Sequence, residues 1–488
     1  MSFILAIDQS TAGTKALLVD EHGFIKAKDS LAHKQFYPAP GWVEHDAEEI
    51  WQNVLKLIKQ MVEQAHVLEG DIAGLSLCNQ RETTVAWDRS TGKPLAPAIV
   101  WQCQRGAKIC DNLKDHSQDI RKLSGLPLSA YYPAAKAAWM LQHVPGLKQK
   151  AQTGEACIGT IDSYLVFRLT GGEAFKTDYS NASRTQLFNL KTLQWDEHLC
   201  ELFDIPMKCL SEIVFSDSIF GQTRDALTGK SLKIAGVMGD SHAALFGQGC
   251  LKPGMAKATY GTGSSIMLNV GKSMKTPPEG IAASLAWGWR EEVSYVLEGN
   301  VTSSGDTLKW LIDEIELVDS PQEIDELAEQ VNSSEGVYLV PAFAGLGAPY
   351  FDSEARAALV GMSRGTTKRH IARAALESIA YQNNAVVDAM GAELAELRVD
   401  GGPTRSAVLM QFQADILGCP VRCSIAQEIS ALGSAYMGGL ALSFFRDNSQ
   451  ITAWQQAGRT YLPKMARQKA EELSLGWDQA VNRVMKNQ

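Results

Sequence analysis

Three charged groups and two small-residue turns are the places where this chain could do chemistry. Asp240 follows the run Ile234–Val237 and a glycine-containing turn, and precedes Ser241–Gly247, so it stands where a strand hands over to a helix. α/β sheets commonly place ligands at such a point. Phosphoryl transfer to an alcohol needs a carboxylate to accept the hydroxyl proton as the new bond forms, and Asp240 is the candidate. The structural alternative is a helix N-cap. Near the start, the apolar run Ile4–Ile7 ends at Asp8 and runs into Gln9-Ser10-Thr11-Ala12-Gly13-Thr14-Lys15. Far downstream, Lys257–Thr259 leads into Tyr260-Gly261-Thr262-Gly263-Ser264-Ser265. Turns of Gly, Ser and Thr offer backbone N–H groups and hydroxyls to a phosphate without bulk to keep it away. Two of them, half a chain apart, suggest two similar halves gripping one polyphosphate. A carboxylate beside a phosphate repels it unless a cation lies between. Asp8 therefore reads as a partner for hydrated Mg²⁺, which prefers few carboxylates and several waters; the alternative is a turn-forming Asp.

Arg81 and Glu82 follow the strand-like Leu75–Cys78. A charged pair at the end of a buried strand can bind vicinal hydroxyls, Arg donating and Glu accepting, or it can be a structural ion pair. Trp101 and Tyr131 offer an apolar wall for the carbon skeleton of a polyol, or core packing. Gly401-Gly402 would let a nucleotide lie against the backbone, or would simply start a helix. Competing nucleotide signatures are missing: Gly229-Lys-Ser and Gly271-Lys-Ser lack the upstream glycine of a P-loop, and no GxGxxG follows a strand. Gly361-Met-Ser363-Arg-Gly365 has the spacing of a hydrolase nucleophile turn, but no carboxylate separates Ser363 from His370, the last histidine of the chain.

These residues need α/β scaffolding. The stretches Ile4–Ile7 and Ala16–Val19 predict a hairpin, and Ile72–Leu77 and Val85–Trp87 predict buried strands. Residues 46–66 have helical periodicity, with Ile50, Trp51, Val54, Leu55, Ile58, Met61 and Val62 on one face. Asp46 is placed as the N-cap and Glu49 stands at capping-box spacing. Leu397–Val399, Asp400-Gly401-Gly402 and Ser406–Leu417 repeat the strand, turn and helix seen around Asp240. Ala431–Ala441 is a helix of small residues suited to very close packing. With 488 residues the length prior gives roughly three domains; the repeat favours two large ones, residues 1–247 and 248–488, with a linker near Gly247–Gly254. A hydrophobic content of 45% with 21% charged residues is ordinary for a globular chain. A net charge of −9 speaks against non-specific nucleic-acid binding. Nine cysteines without a CxxC pair suggest reduced thiols and a cytoplasmic setting. No run approaches a membrane span, so no membrane insertion is expected.

The order of phosphate turn, strand–Gly-Asp–helix, second phosphate turn and strand–Gly-Gly–helix resembles the actin-like ATPase superfamily. More narrowly, Pro40–Asp46, Asn79–Thr84, Ile99–Cys103, Gly159–Asp162, Thr177–Arg184, Pro253–Lys257 and Pro341–Tyr350 resemble the FGGY family of carbohydrate kinases, and its glycerol kinase branch most. The resemblance runs from residue 3 to about residue 482. It implies two actin-like (ribonuclease H-like) α/β domains around a cleft, and an ATP- and Mg²⁺-dependent kinase for a terminal hydroxyl of a small polyol or sugar. The acceptor could be a pentulose or tetritol; the remote alternative is a non-catalytic actin-like ATPase module. By this resemblance Asp240 is the general base and, with Asp8, sits at the metal. Arg81, Glu82, Trp101, Tyr131, Ser241 and Ser265 line the substrate pocket. Thr11, Ala12, Lys15, Thr262, Gly305, Lys309, Gly402 and Ser406 contact ATP. The family often forms dimers or tetramers. Three departures from the glycerol kinases stand out: Ser241 replaces a glutamine, Ser265 replaces a phenylalanine and Ser406 replaces an asparagine. The first two imply a roomier, more polar pocket that holds glycerol less firmly.

Overall fold

The computed structural model describes residues 1–274, 276–454 and 458–485. Strand β1 (Ser2–Gln9) and β2 (Gly13–Asp20) form the expected hairpin, with β3 (Ile25–Ala32) as the next antiparallel strand. On the other side of β1 lie β4 (Asp71–Asn79) and then, after a long excursion, β5 (Ile219–Gln222) and β6 (Lys233–Gly239). The sheet order is β5-β6-β4-β1-β2-β3, with β4 parallel to both β1 and β6. The run Ile4–Ile7 shows no polar alternation because both faces of β1 are covered. Phe3, Leu5 and Ile7 pack in the layer of helix α1 (Ala47–Val67), while Ile4 and Ala6 face the opposite layer.

The side chain of Asp46 caps α1 by accepting from the backbone N–H groups of Glu48 and Glu49. Glu49 does not close a capping box; its carboxylate takes the backbone N–H of Lys34 at 3.2 Å. Leu57 joins the buried face, and Leu55 and Val62 are only half-buried at its rim. The predicted strand at Val85–Trp87 lies in a third sheet, in which Thr84–Asp88 pairs with Ala98–Ile99 and Ala156–Thr160. Strand β6 ends at Gly239, and helix α2 (Asp240–Gly247) starts at once.

The second half repeats this plan. Strands β7 (Met255–Tyr260), β8 (Ser264–Gly271), β9 (Ala282–Trp289) and β10 (Glu292–Val301) are antiparallel neighbours in the order β9-β10-β8-β7. The sheet continues through β11 (Glu396–Gly401) and β12 (Val421–Cys423), both parallel to β7 in sense, and ends at β13 (Thr460–Tyr461). The first half thus joins three antiparallel strands, β1 to β3, to the parallel β4 and β6, and the second joins four, β7 to β10, to the parallel β11 and β12. Each first hairpin turns on three residues, Ser10–Ala12 in one and Gly261–Gly263 in the other.

Helices α3 (Gly305–Asp313), α4 (Lys368–Met390), α5 (Ala407–Leu417) and α6 (Ile429–Ala441) complete the frame. The small-residue helix α6 does not stay with the second sheet. It lies on β6, β4 and β1 of the first and along α2. A Cβ on Gly433 would come within 1.8 Å of the Ala243 carbonyl oxygen, and one on Gly438 within 2.6 Å of that of Ala235. Glycine is what permits this approach. All nine cysteines are free, and no helix among the described residues is long and apolar enough to cross a membrane.

Candidate functional site

Gly239 occupies the cap position of α2, with extended backbone, and Asp240 is the first residue inside the helix. Asp240 is therefore not an N-cap. Its Oδ1 accepts from the backbone N–H of Ser241 at 2.6 Å and lies 3.4 Å from Arg81 Nε. A third of its side chain remains open to the cleft. Burial of the rest raises its pKa above the ordinary carboxylate value, with Arg81 acting in the opposite direction.

Arg81 belongs to a buried charge cluster. Its Nη1 and Nη2 donate to Glu298 Oε2 and Oε1 at 2.8 and 2.9 Å, a two-pronged bond. Arg184 Nε donates to Glu82 Oε1 at 2.6 Å, and Arg184 Nη1 lies 3.0 Å from Glu298 Oε2. Two guanidiniums thus face three carboxylates, those of Glu82, Glu298 and Asp240. Burial alone would raise the pKa of Glu298, yet Arg184 and Arg81 hold it well below the carboxylate range. Glu82 has φ of 60°, an uncommon backbone for a non-glycine residue, and this turns its carboxyl inward to Arg184.

Asp8 is the penultimate residue of β1, beside the first turn, and is 7% exposed. Its Oδ1 accepts from the Cys78 thiol at 3.3 Å. Burial raises its pKa to about 6, Cys78 opposes this, and the Asp240 carboxylate adds to it. Asp8, near the end of β1, and Asp240, just past the end of β6 in the same sheet, form a pair of acids that act on each other. Lys15, opposite Asp8 in the β1–β2 register, favours the ionised form of Asp8, while its Nζ pairs with Glu428 at 2.5 Å. The two acids fit a hydrated Mg²⁺. Among the described residues no group of three acidic, histidine or cysteine side chains forms a cage, as expected for an ion that would be held largely by phosphate and water.

The Trp101 and Tyr131 rings meet edge to face at 5.7 Å. Trp101 Nε1 also donates to Thr11 Oγ1 at 3.0 Å, tying these rings to the first turn. Ala12, next in that turn, is exposed. Ser241 and Ser265 are half-buried, and Ser265 Oγ has no hydrogen-bond partner among the described residues.

The second turn abuts α3. The backbone N–H groups of Ser304 and Asp306 donate to the Thr262 carbonyl, and that of Gly305 to the Gly261 carbonyl. A Cβ at Gly305 would sit 2.6 Å from that Gly261 oxygen, so only glycine fits. Gly305, Lys309, Gly402 and Ser406 line one cavity of about 690 Å³ with Asp325 and Pro321. Gly402 faces open space, whereas a Cβ on Gly401 would strike the Tyr260 carbonyl oxygen. The Ser406 hydroxyl is already engaged: it accepts from the Leu409 N–H as the cap of α5 and donates to Asp325.

Glu298, Arg184 and Lys257 were not among the residues singled out by pattern. Lys257 is buried, bonds Thr259 Oγ1 at 3.2 Å and acts electrostatically on Asp240. Glu298 did leave a signal, as the lone acid within the apolar run Val293–Val301. His242 is buried and neutral: burial and Arg81 depress its pKa, and Nε2 meets Ser284 Oγ at 3.1 Å.

The N-terminal domain pattern of the FGGY family of carbohydrate kinases matches residues 3–247, and its C-terminal domain pattern matches residues 256–442. The chain is 44% identical to glycerol kinase 2 of Thermotoga maritima over 491 residues, covering 99% of each chain. It is 45% identical to the glycerol kinase of Caldanaerobacter subterraneus, again over 99% of each. The structure of Plasmodium falciparum glycerol kinase with ADP superposes with a TM-score of 0.95 at 36% identity, covering 100% of this chain and 99% of that one. The ligand-bound xylulose kinase of Lactobacillus acidophilus shares the fold, with a TM-score of 0.88 at 23% identity and 99% coverage of both chains.

Proposed function

The chain belongs to the FGGY family of carbohydrate kinases and is an ATP-dependent phosphotransferase with an alcohol as acceptor; from this premise we propose that Asp240 is its general base and that the acceptor is a small polyol. The observation that carries the reading is the position of Asp240: first in its helix, against Arg81, and open on its other side to the cleft. In that position it takes the proton of a terminal hydroxyl as the oxygen attacks the γ-phosphate. Its raised pKa makes it a stronger base than an exposed Asp. Arg81 and Glu82 bind the neighbouring hydroxyl, and Trp101 with Tyr131 covers the carbon chain.

ATP spans the two turns. Its adenosine occupies the cavity of Gly305, Lys309, Gly402 and Ser406, and its phosphates reach toward Thr262, Thr11 and Ala12. Lys15 leaves Glu428 to meet them. Mg²⁺ held near Asp8 and Asp240 would offset phosphate charge. Residues 1–247 then carry the metal and most substrate groups, and residues 248–488 carry the nucleotide. Closure of the cleft excludes water and aligns the reacting atoms, an effect that can lower a barrier by up to ~7–11 kcal/mol. The loss of bulk at Ser241 and Ser265 favours a substrate longer and more polar than glycerol, the acceptor named for the Plasmodium falciparum enzyme described above.

Asp240→Asn tests the reading. It should leave ATP binding nearly intact and lower turnover on every polyol by about 10²–10⁴-fold. Normal turnover by this variant would remove Asp240 from the role.

A further inference from the structure

The register of the second sheet places a residue with no assigned role beside Ser265. Thr259 of β7 stands opposite Ser265 of β8, and Ser265 stands opposite Asn300 of β10. Directly opposed residues in antiparallel strands present their side chains to one face. Thr259, Ser265 and Asn300 therefore form a polar row across three strands. Two residues away along each strand is a second row on that face, Lys257, Met267 and Glu298. Glu298 fixes which way the face looks, because it grips Arg81, and Arg81 contacts Asp240.

Asn300 is thus reached from Asp240 through a short chain of contacts. Arg81 is 3.4 Å from Asp240, Glu298 is 2.8 Å from Arg81, and Asn300 Nδ2 is 3.5 Å from Glu298 Oε1. Asn300 is exposed, although Glu298, Gly299 and Val301 around it are buried. Glu298 occupies one amide N–H, leaving Oδ1 and the second N–H for a ligand. Ser265 Oγ opposite has no hydrogen-bond partner among the described residues. A hydroxyl both donates and accepts, and so do a carboxamide and a serine. Thr259 is not available in the same way, since its Oγ1 donates to Asp400 at 2.8 Å.

We infer that Asn300, with Ser265, binds a hydroxyl beyond the third carbon, so that the acceptor is a linear polyol of four or five carbons. The inference rests on the proposed pocket around Asp240 and adds a specificity residue to it. Glycerol has no group to fill this position and leaves it to water. A four- or five-carbon chain phosphorylated at one end carries its far hydroxyl to the row.

The test compares kcat/KM for glycerol, erythritol and ribitol in the unaltered protein and in Asn300→Ala. The unaltered protein should favour erythritol or ribitol over glycerol by at least about tenfold, the discrimination expected when a site's polar groups are otherwise left unpaired. Asn300→Ala should cut that ratio by at least about tenfold, with the KM for ATP as a control. Should Asn300→Ala fail to fold, Asn300→Ser keeps the test open, read through the shift in melting temperature that each polyol produces. If glycerol is the best substrate, or the ratio stays within twofold in the variant, the inference falls while the kinase reading stands. If the unaltered protein phosphorylates no polyol at all, the reading falls and takes the inference with it.

Discussion

Arg81 and Glu298 are joined by two parallel hydrogen bonds of 2.8 and 2.9 Å, and they come from different sheets. Arg81 follows β4 in the first, and Glu298 lies in β10 of the second. The bond holds the guanidinium so that Nε faces Asp240 at 3.4 Å, and one N–H on each Nη stays free of Glu298. Glu298→Gln should therefore do more than weaken a contact. Breaking a buried ion pair from one side typically costs about 3–5 kcal/mol, so the melting temperature should fall by several degrees. Arg81, released from its anchor, should turn more fully onto Asp240, and kcat should fall further than KM rises. A variant with normal stability and normal kcat would show that the pair neither anchors nor positions.

Asp8 and Asp240 should separate when the metal is titrated. Asp8→Asn removes one of the two acids assigned to the ion. Its half-saturating Mg²⁺ concentration should rise by about tenfold or more, the usual scale for losing a ligand or its orienting partner, and high Mg²⁺ should restore part of the activity. Asp240→Asn should not be rescued in this way. Chelator should silence both the unaltered enzyme and Asp8→Asn.

Lys136 gives a prediction in pH. It is fully buried, donates to the Tyr131 carbonyl and lies 5.9 Å from the Tyr131 ring. Burial depresses its pKa to about 7 from the model-peptide value of 10.5. Between those two values the unfolded chain holds the proton and the folded one does not. Stability therefore rises with pH across that window, by up to about 1.4 kcal/mol per pH unit from this group. Below pH 7 both states are protonated and the group's contribution is flat. The stability difference between the unaltered protein and Lys136→Met should accordingly grow in favour of the former from pH 7 to pH 9. A difference independent of pH across that range rules the assignment out.

Restoring bulk should reverse the pocket. Ser265→Phe with Ser241→Gln refills the space beside Asp240 and covers the polar row. The kcat/KM ratio of glycerol to four- and five-carbon polyols should rise by about 10–200-fold, the range expected from altering apolar fit in a pocket. An unchanged ratio would place selectivity elsewhere.

Gly433→Ala should act on catalysis from a distance. Its added methyl would lie 1.8 Å from the Ala243 carbonyl oxygen, with Gly247 N at 3.0 Å. Helix α2 must then move, and Asp240 begins that helix. Overpacking of this kind usually costs about 1–3 kcal/mol. Lower melting temperature together with reduced kcat, at an ATP KM within twofold, is the expected pattern from thermal and kinetic measurements.

Much of the frame was legible in the residues, for identifiable reasons. The two small-residue turns, the strand-to-helix handover at Asp240 and the capped helix after Asp46 are local features, and local chemistry dictates them. The charge cluster was legible only in half. Arg81-Glu82 is a visible pair, but Arg184 and Glu298 join it from 102 and 217 residues away. Tertiary pairing at such separations leaves no periodicity to read. Asn300 was hidden for a related reason: its partner across the sheet is set by the β8–β10 register, and a lone Asn before Val301 looks like any strand end. Capping-box spacing misled at Glu49, where a neighbouring segment offered the backbone N–H of Lys34 and won the carboxylate. Ser406 was expected to contact ATP; it lines the cavity of Gly305, Lys309 and Gly402, where Asp325 and the Leu409 amide already use its hydroxyl.

Helix α6 fixes the order in which this protein can mature. It covers the face of the first sheet formed by Ile4, Ala6, Leu17, Val19 and Met238, although a ribosome makes those strands long before it makes residue 429. Until then the first half can cover that apolar face only in part, with Ala243, Leu245 and Phe246 of α2. A fragment ending at residue 247 should be recovered in soluble form only when the missing helix is supplied in trans.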